Sequence, residues 1–520
     1  MKSLLNRKLS DGMLFVCAIG FTFAWGLFAH LYGLTNSIFS HDSLNALVSG
    51  PVEESWKIQL GRFMVPLYRS IFRVNISLPW LIGATGLLFV GLALYLVAKI
   101  LRIRTVLPLF LAAGVLSTNI TSIALIATYV YEFDLDMASF LLAVLAVYFW
   151  DRKRFGFLFG AIPLALSLGF YQAYFASAVA LIMTVCLCRL LNGFEFRKVL
   201  VRGFKGILML LLGGAVYYGL VVLSCRITGN ELADTYNGLF RLVKETDHSF
   251  PNLVIEAYGR YFSQLAGQVP GYPLAVEIVI QGLIFVVTMA AFIHTAVRNR
   301  LKVPSVLLAV LLLLLLPLAM NSIYVLDKGM AHQLMTYSFC LTHIFALAVI
   351  ASWERGGTPS FVYRGAQALL AVAVAAMLWG NVQGANAVYM KKDIEYKAEL
   401  SIMTRALDRI ESYPGYERGK TVVAVMGRYL HPTVSGFRDY ASYTGAGYTS
   451  PISGYNPSWN WDLYAAYFKW VMNVNVNTCD PDTWQRIRRT SELRDMAVFP
   501  QEGCIRMIGD VLVIRMSEDY

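Results

Sequence analysis

The chain has 520 residues, of which 57% are hydrophobic and 15% charged. Soluble chains run near 45–50% apolar and about 25% charged, so a soluble enzyme is excluded. The net charge of +11 does not point to nucleic acid, because the basic residues fall in short clusters between apolar runs and follow membrane topology instead.

About eleven runs are apolar enough to cross some 30 Å of hydrocarbon. They lie near 12–34, 78–98, 106–118, 137–150, 157–169, 172–188, 207–225, 273–296, 303–325, 333–352 and 366–383. The third to fifth are short, and 119–136 either lies outside the bilayer or dips into it. Alternate connections differ in charge: 1–11, 98–105, 151–156, 188–206, 297–302 and 353–365 hold nineteen Lys and Arg, whereas 35–77, 119–136, 226–272 and 326–332 hold nine over a longer stretch. By the positive-inside rule the N-terminus is cytoplasmic, and an odd number of spans puts the tail on the far side. Residues 1–383 therefore read as a transmembrane module and 384–520 as a soluble domain facing outward.

No Lys or Arg lies in a predicted span, and Glu277 is the one acid there. An ion-coupled transporter needs ionisable groups at mid-membrane. The outward loops are long and acidic, so function points to the outer face.

Directly after the first span, TNSIFSHDSLNAL sets Asp42 beside His41 just outside the bilayer, where a carboxylate can act as a general base. WKIQLGRFMVPLYRSIFRV then carries Lys57, Arg62, Arg69 and Arg73, with apolar residues on the opposite side. This suits an interfacial stretch offering cations to phosphates; a loop acid with membrane-anchoring arginines fits equally well. EFDLD clusters Glu132, Asp134 and Asp136. Such carboxylates are solvated, bind a cation or share protons, so the cluster either lines an outward cavity or ends a helix in water. Loop 226–272 interleaves Arg241, Lys244, His248, Tyr258 and Arg260, suited to a phosphate and a sugar ring or to an amphipathic hairpin. Lys328 and His332 sit in the short turn DKGMAHQ.

In the tail, KKDIEYKAELSIMTRALDRIES reads as an amphipathic helix, TVVAVMG as a strand and CIRMIGDVLVIRM as a hairpin turning at Gly509-Asp510, which makes an α+β domain. Trp459, Trp461 and Tyr464 can stack on a glycan or rest on the bilayer. Cys479 and Cys504 can pair if the tail faces an oxidising compartment. The chain contains no dinucleotide or P-loop fingerprint, which argues against a soluble nucleotide donor.

HDSLNAL, WKIQLGRFMVPLYRSIF, SLGFYQAYFAS and the closing MAVFPQEGCIRMIGDVLVIRM together resemble the bacterial glucosyltransferase GtrII family across nearly the whole chain. The resemblance implies a polytopic α-helical, GT-C-like fold in the bacterial inner membrane with a periplasmic C-terminal domain. It also implies a polyprenyl-phosphate glucose donor and an O-antigen or other lipid-linked glycan acceptor. Asp42 is then the first candidate for the base of an inverting transfer. Arg62, Arg260 and Lys328 would stabilise the departing phosphate, and Glu132, Asp134 and Asp136 would orient acceptor hydroxyls or bind a divalent cation if one is needed. His41-Asp42 departs from a paired acidic motif, so a metal in the first loop is in doubt. Membrane lipids are further partners; nucleic acid is not. Two alternatives stay open: an O-antigen polymerase or ligase, and a lipid-linked sugar flippase.

Overall fold

A computed structural model describes residues 8–36, 39–47, 50–73, 76–233, 249–267, 272–329, 331–355, 360–427 and 460–518. The chain is mostly helical, and among the described residues ten helices are long and apolar enough to cross a membrane, with a shorter apolar one at Gly156–Phe170. Hydrocarbon offers no hydrogen bonds to backbone groups, which is why apolar runs of this length close into helices.

In chain order the helices are α1 (Asp11–Thr35), α2 (His41–Asn45), α3 (Pro51–Gln59), α4 (Met64–Phe72), α5 (Pro79–Leu101), α6 (Val106–Thr118), α7 (Ile120–Thr128), α8 (Phe133–Arg152), α9 (Gly156–Phe170), α10 (Phe175–Leu191), α11 (Phe196–Thr228), α12 (Phe250–Ala266), α13 (Leu274–Arg298), α14 (Val303–Met320), α15 (Ser322–Leu326), α16 (Leu341–Arg355) and α17 (Ser360–Glu411). The tail adds β1 (Val422–Met426), α18 (Asn460–Ala466), α19 (Pro481–Arg488), α20 (Ser491–Arg494), β2 (Ile505–Ile508) and β3 (Val511–Arg515).

The segment 119–136 is not a loop. Helix α7 follows α6 after a break at Asn119, and α8 begins at Phe133. The polar residues that interrupt the apolar run bond to nearby backbone: Thr118 Oγ1 donates to the Gly114 carbonyl at 2.9 Å, Asn119 Nδ2 to that of Leu116 at 2.9 Å, and the Ser122 amide to Asn119 Oδ1 at 3.0 Å. Similarly, part of the predicted loop 226–272 is the amphipathic α12, which buries Leu253, Ala257 and Tyr261.

The chain forms two compact units. The first comprises 1–31, 49–125 and 132–385; the second comprises 32–48, 126–131 and 386–520.

Within the first unit, α8 packs against α5 and α9. Ser139 and Ser167 join α8 to α9 reciprocally, each hydroxyl donating to the other's carbonyl at 2.8 Å; such small polar residues draw helices together where no hydrophobic force acts between them. Burial separates the central helices from the outer ones. The apolar window of Val106–Thr128 is 94% buried, against 28% in Val303–Met320, whose bare leucines suit a lipid surface.

The second unit is built on a three-stranded sheet of order β1-β3-β2, with β1 parallel and β2 antiparallel to β3. Gly509, at φ 61°, makes the tight turn between β2 and β3. Strand alternation divides the side chains between two cores. Val423, Val425, Leu512 and Ile514 join Met403, Ile410 and Tyr464 in one; Ala424, Met426, Val511 and Val513 join Trp484, Ile487 and Leu493 in the other. Leu44 of α2 belongs to the first of these cores and is fully buried. Other ties cross the same unit: Tyr32 Oη donates to Asp393 Oδ2 at 2.8 Å, and the buried Lys392 Nζ donates to the Ala127 carbonyl. Cys479 and Cys504 are free thiols in opposite cores, so the pairing considered from sequence is not formed.

Candidate active site

Within the first unit, α3, α4 and the start of α8 assemble a buried group of ionised side chains. Pro51 opens α3, and the chain turns at Gly61 with φ 77° before entering α4. Glu132 precedes α8, while Asp134 and Asp136 lie in its first turn, where the unpaired amides of a helix start favour negative charge.

Each cation of the first loop meets an acid. Lys57 Nζ pairs with Glu132 and lies 3.9 Å from Glu53 Oε1. Arg62 Nη1 is 3.7 Å from Glu132 Oε2, and its guanidinium lies over the Tyr171 ring, 4.3 Å from the centroid. Arg69 Nη1 is 2.9 Å from Glu53 Oε1. Arg73 forks onto Asp134, with Nε donating to Oδ2 at 3.0 Å. Tyr68 Oη donates to the same oxygen at 3.1 Å. Burial first, and the Asp134 charge second, push the Tyr68 phenol well above its ordinary range, so it stays a donor.

This arrangement changes the reading of the first loop. Its arginines are not an open basic face: Arg69 is 1% exposed, and Lys57, Arg62, Arg69 and Arg73 are matched by Glu53, Glu132 and Asp134. Nor is EFDLD a solvated loop, since Asp134 and Asp136 are both 2% exposed. A charge in so dry a place persists only when paired. Asp136 differs from its neighbours. It makes no hydrogen bond or ion pair among the described residues, yet the charges of Glu132, Arg62, Lys57 and Asp134 all act on it.

A second sequence motif holds the cluster's backbone. Between α9 and α10 the chain breaks at Gln172–Tyr174. There Gln172 Nε2 donates to the Leu60 carbonyl and to Tyr217 Oη, both at 2.8 Å, while Tyr217 Oη donates to the Gly61 carbonyl at 3.3 Å. Gly169 has no room for a Cβ, which would come within 2.5 Å of Phe63. SLGFYQAYFAS and WKIQLGRF thus pack on each other. Tyr68, Tyr171 and Gln172 escape a reading of charge and spacing, because each acts through a partner far along the chain, and Glu53 escapes it although its partners Lys57 and Arg69 lie in the same loop. The only signal in the sequence is that both segments stand out as motifs.

The other candidates lie elsewhere. Asp42 is half-buried in α2 of the second unit, whose start is a capping box: the Ser40 amide donates to Ser43 Oγ at 2.6 Å, and the Ser43 amide to Ser40 Oγ at 3.3 Å. His41 opens the same helix. In the first unit, Tyr258 Oη donates to the Leu314 carbonyl at 2.5 Å. The Arg260 guanidinium lies 5.0 Å from the Tyr324 ring, whose hydroxyl donates to Glu256 at 2.8 Å. Lys328 is half-buried in the turn after α15, and His332 is exposed at the start of the next helical turn. In the tail, Trp461 belongs to α18, while Tyr464 is core rather than a glycan platform, its hydroxyl donating to the Gly427 carbonyl at 2.9 Å. Trp459, Arg241, Lys244 and His248 fall outside the described residues.

A divalent cation does not fit the acidic cluster, because Glu132 and Asp134 are already held by Lys57, Arg62 and Arg73. Among the described residues no three His, Cys, Asp or Glu side chains converge as a metal site.

A polytopic helical chain with buried ionic side chains at a helix start has the makings of a membrane enzyme. The model of the glucosyl transferase GtrII family matches residues 31–344, more than half of the chain, and the chain belongs to that family. It is therefore a glycosyltransferase, working with a sugar donor and a glycan acceptor. The match ends before the tail, so MAVFPQEGCIRMIGDVLVIRM lies outside it. No curated protein and no solved structure matches the chain.

Proposed function

We propose that the protein transfers glucose, with inversion, from a polyprenyl-phosphate donor to an O-antigen or related lipid-linked glycan at the periplasmic face of the bacterial inner membrane. The fold is GT-C-like, with the N-terminus cytoplasmic and the tail from residue 384 periplasmic. The observation that carries this reading is the group of buried Lys57 and Asp136 with the largely enclosed Arg62 and Glu132 in a chain of this family. The lysine and arginine surplus in alternate connections supports the orientation.

In the proposed reaction the acceptor hydroxyl loses its proton to a carboxylate as its oxygen attacks the anomeric carbon. The bond from that carbon to the phosphate oxygen breaks, and polyprenyl phosphate leaves with the electron pair. The leaving phosphate gains charge, so fixed cations stabilise the transition state more than the ground state. Arg62 and Lys57 take this role, with Arg260 and Lys328 as further candidates. Asp42 is the first candidate for the base. Asp136 is the second, favoured because it lies in the first turn of α8 among the charges of Glu132, Arg62 and Lys57. Glu132 and Asp134 hold the cations in place.

The test is transfer by the full chain in nanodiscs, using polyprenyl-phosphate glucose and an O-antigen glycolipid, with Asp42→Asn and Asp136→Asn. Loss of about a hundredfold or more in one variant identifies the base. Full activity in both, or reporter fusions that put Asp42 in the cytosol, would overturn the proposal.

A further inference from the structure

Helix α8 carries Asp134 at its start and Asp151 near its end, about 26 Å away at 1.5 Å per residue. At that second end, still within the first unit, a cavity of about 310 Å³ is lined by Arg102, Arg152, Arg189 and Arg202, with Asp151 as the one acid. Three connections that the charge rule places inward thereby meet in one pocket.

One carboxylate serves three of these arginines. Arg189 Nη2 pairs with Asp151 Oδ1, Arg202 Nη2 lies 3.5 Å from the same oxygen, and Arg152 Nε lies 3.3 Å from Oδ2. Three positive charges remain in excess. Arg202 Nε is buried without a hydrogen-bond partner among the described residues. The Arg102 side chain makes no ion pair or hydrogen bond among the described residues, while its backbone amide donates to the Ala98 carbonyl and ends α5 at φ 59°, a left-handed conformation that is costly for a side chain other than glycine. Topology requires positive charge on this side but not its convergence, and converging guanidinium groups repel one another unless an anion joins them.

We propose that this pocket binds a phosphate group, separately from the transfer chemistry at the other end of α8. Guanidinium forks match phosphate oxygens in pairs, and a pocket of this size at helix ends, within reach of the headgroup region, suits the phosphate of an anionic lipid. A soluble phosphate carries the same chemistry.

The experiment uses the full chain and two probes. Retention of phosphatidylglycerol against phosphatidylcholine is read by native mass spectrometry, and thermal stabilisation by inorganic phosphate is read in detergent. Arg102→Gln removes a cation whose side chain makes no hydrogen bond or ion pair among the described residues, and Arg102→Lys keeps the charge. Phosphatidylglycerol retention should weaken about fivefold in R102Q and recover in R102K. If phosphate alone stabilises the chain with the same dependence on Arg102, the ligand is a free phosphate; if only the lipid responds, it is a headgroup. Retention and stabilisation that are both indifferent to R102Q overturn the proposal.

Discussion

The Arg62 guanidinium sits between an acid and an aromatic face, 3.7 Å from Glu132 Oε2 and 4.3 Å from the Tyr171 ring centre. The two contacts fix the cation without cancelling it, since the carboxylate is shared with Lys57. Replacing Arg62 by Ala should lower kcat/KM about a hundredfold, in the range found when one charge-stabilising donor is lost. Lys should restore only part of the loss, because it lacks the planar fork. Steady-state kinetics against donor concentration checks both.

Tyr171→Ala should raise the donor KM by several-fold and Tyr171→Phe should not, because a cation over a ring is held by the π face at about 0.5–2 kcal/mol and needs no hydroxyl. A similar loss in both variants would assign the role to the phenol instead.

The Arg73–Asp134 pair is buried, with 7% and 2% of the side chains exposed. Arg73→Met or Asp134→Leu alone strands the partner and should cost about 3–5 kcal/mol. The double variant Arg73→Met, Asp134→Leu should recover much of that. A double-mutant cycle on thermal midpoints in detergent measures the coupling.

Leu44 is fully buried in the core that holds Met403, Ile410 and Ile514. Leu44→Ala should destabilise the second unit by about 2–5 kcal/mol, seen as faster proteolysis after residue 386 in the full chain. Unchanged proteolysis would detach α2 from that core.

Asp480 caps α19, accepting from the Thr483 amide at 2.9 Å and from its hydroxyl at 2.7 Å. Those bonds hold its carboxyl below the ordinary value of 3.8. A carboxylate whose value falls on folding stabilises above the unfolded value, and the contribution is lost as pH drops through the folded one. The protection of α19 amides against hydrogen exchange, relative to their intrinsic rates at each pH, should therefore fall on acidification below about pH 4 in the wild type. Asp480→Asn, which keeps an acceptor, should show a flatter dependence.

Hydropathy by itself marked the membrane-length helices, because in hydrocarbon a helix satisfies its own backbone and needs nothing distant. The same local logic made TVVAVMG a strand and CIRMIGDVLVIRM a hairpin. It also singled out Lys57, Arg62, Arg69, Glu132, Asp134 and Asp136 by residue type, and the motifs pointed to the family that matches. Which acid holds which arginine was decided only by folding. Arg73 and Asp134 are 61 residues apart and Gln172 and Leu60 are 112 apart, and no sequence period encodes contacts at such separations. Tyr464 shows the same limit: an exposed aromatic and a core aromatic look alike in sequence, and burial depends on whether a sheet lies beneath.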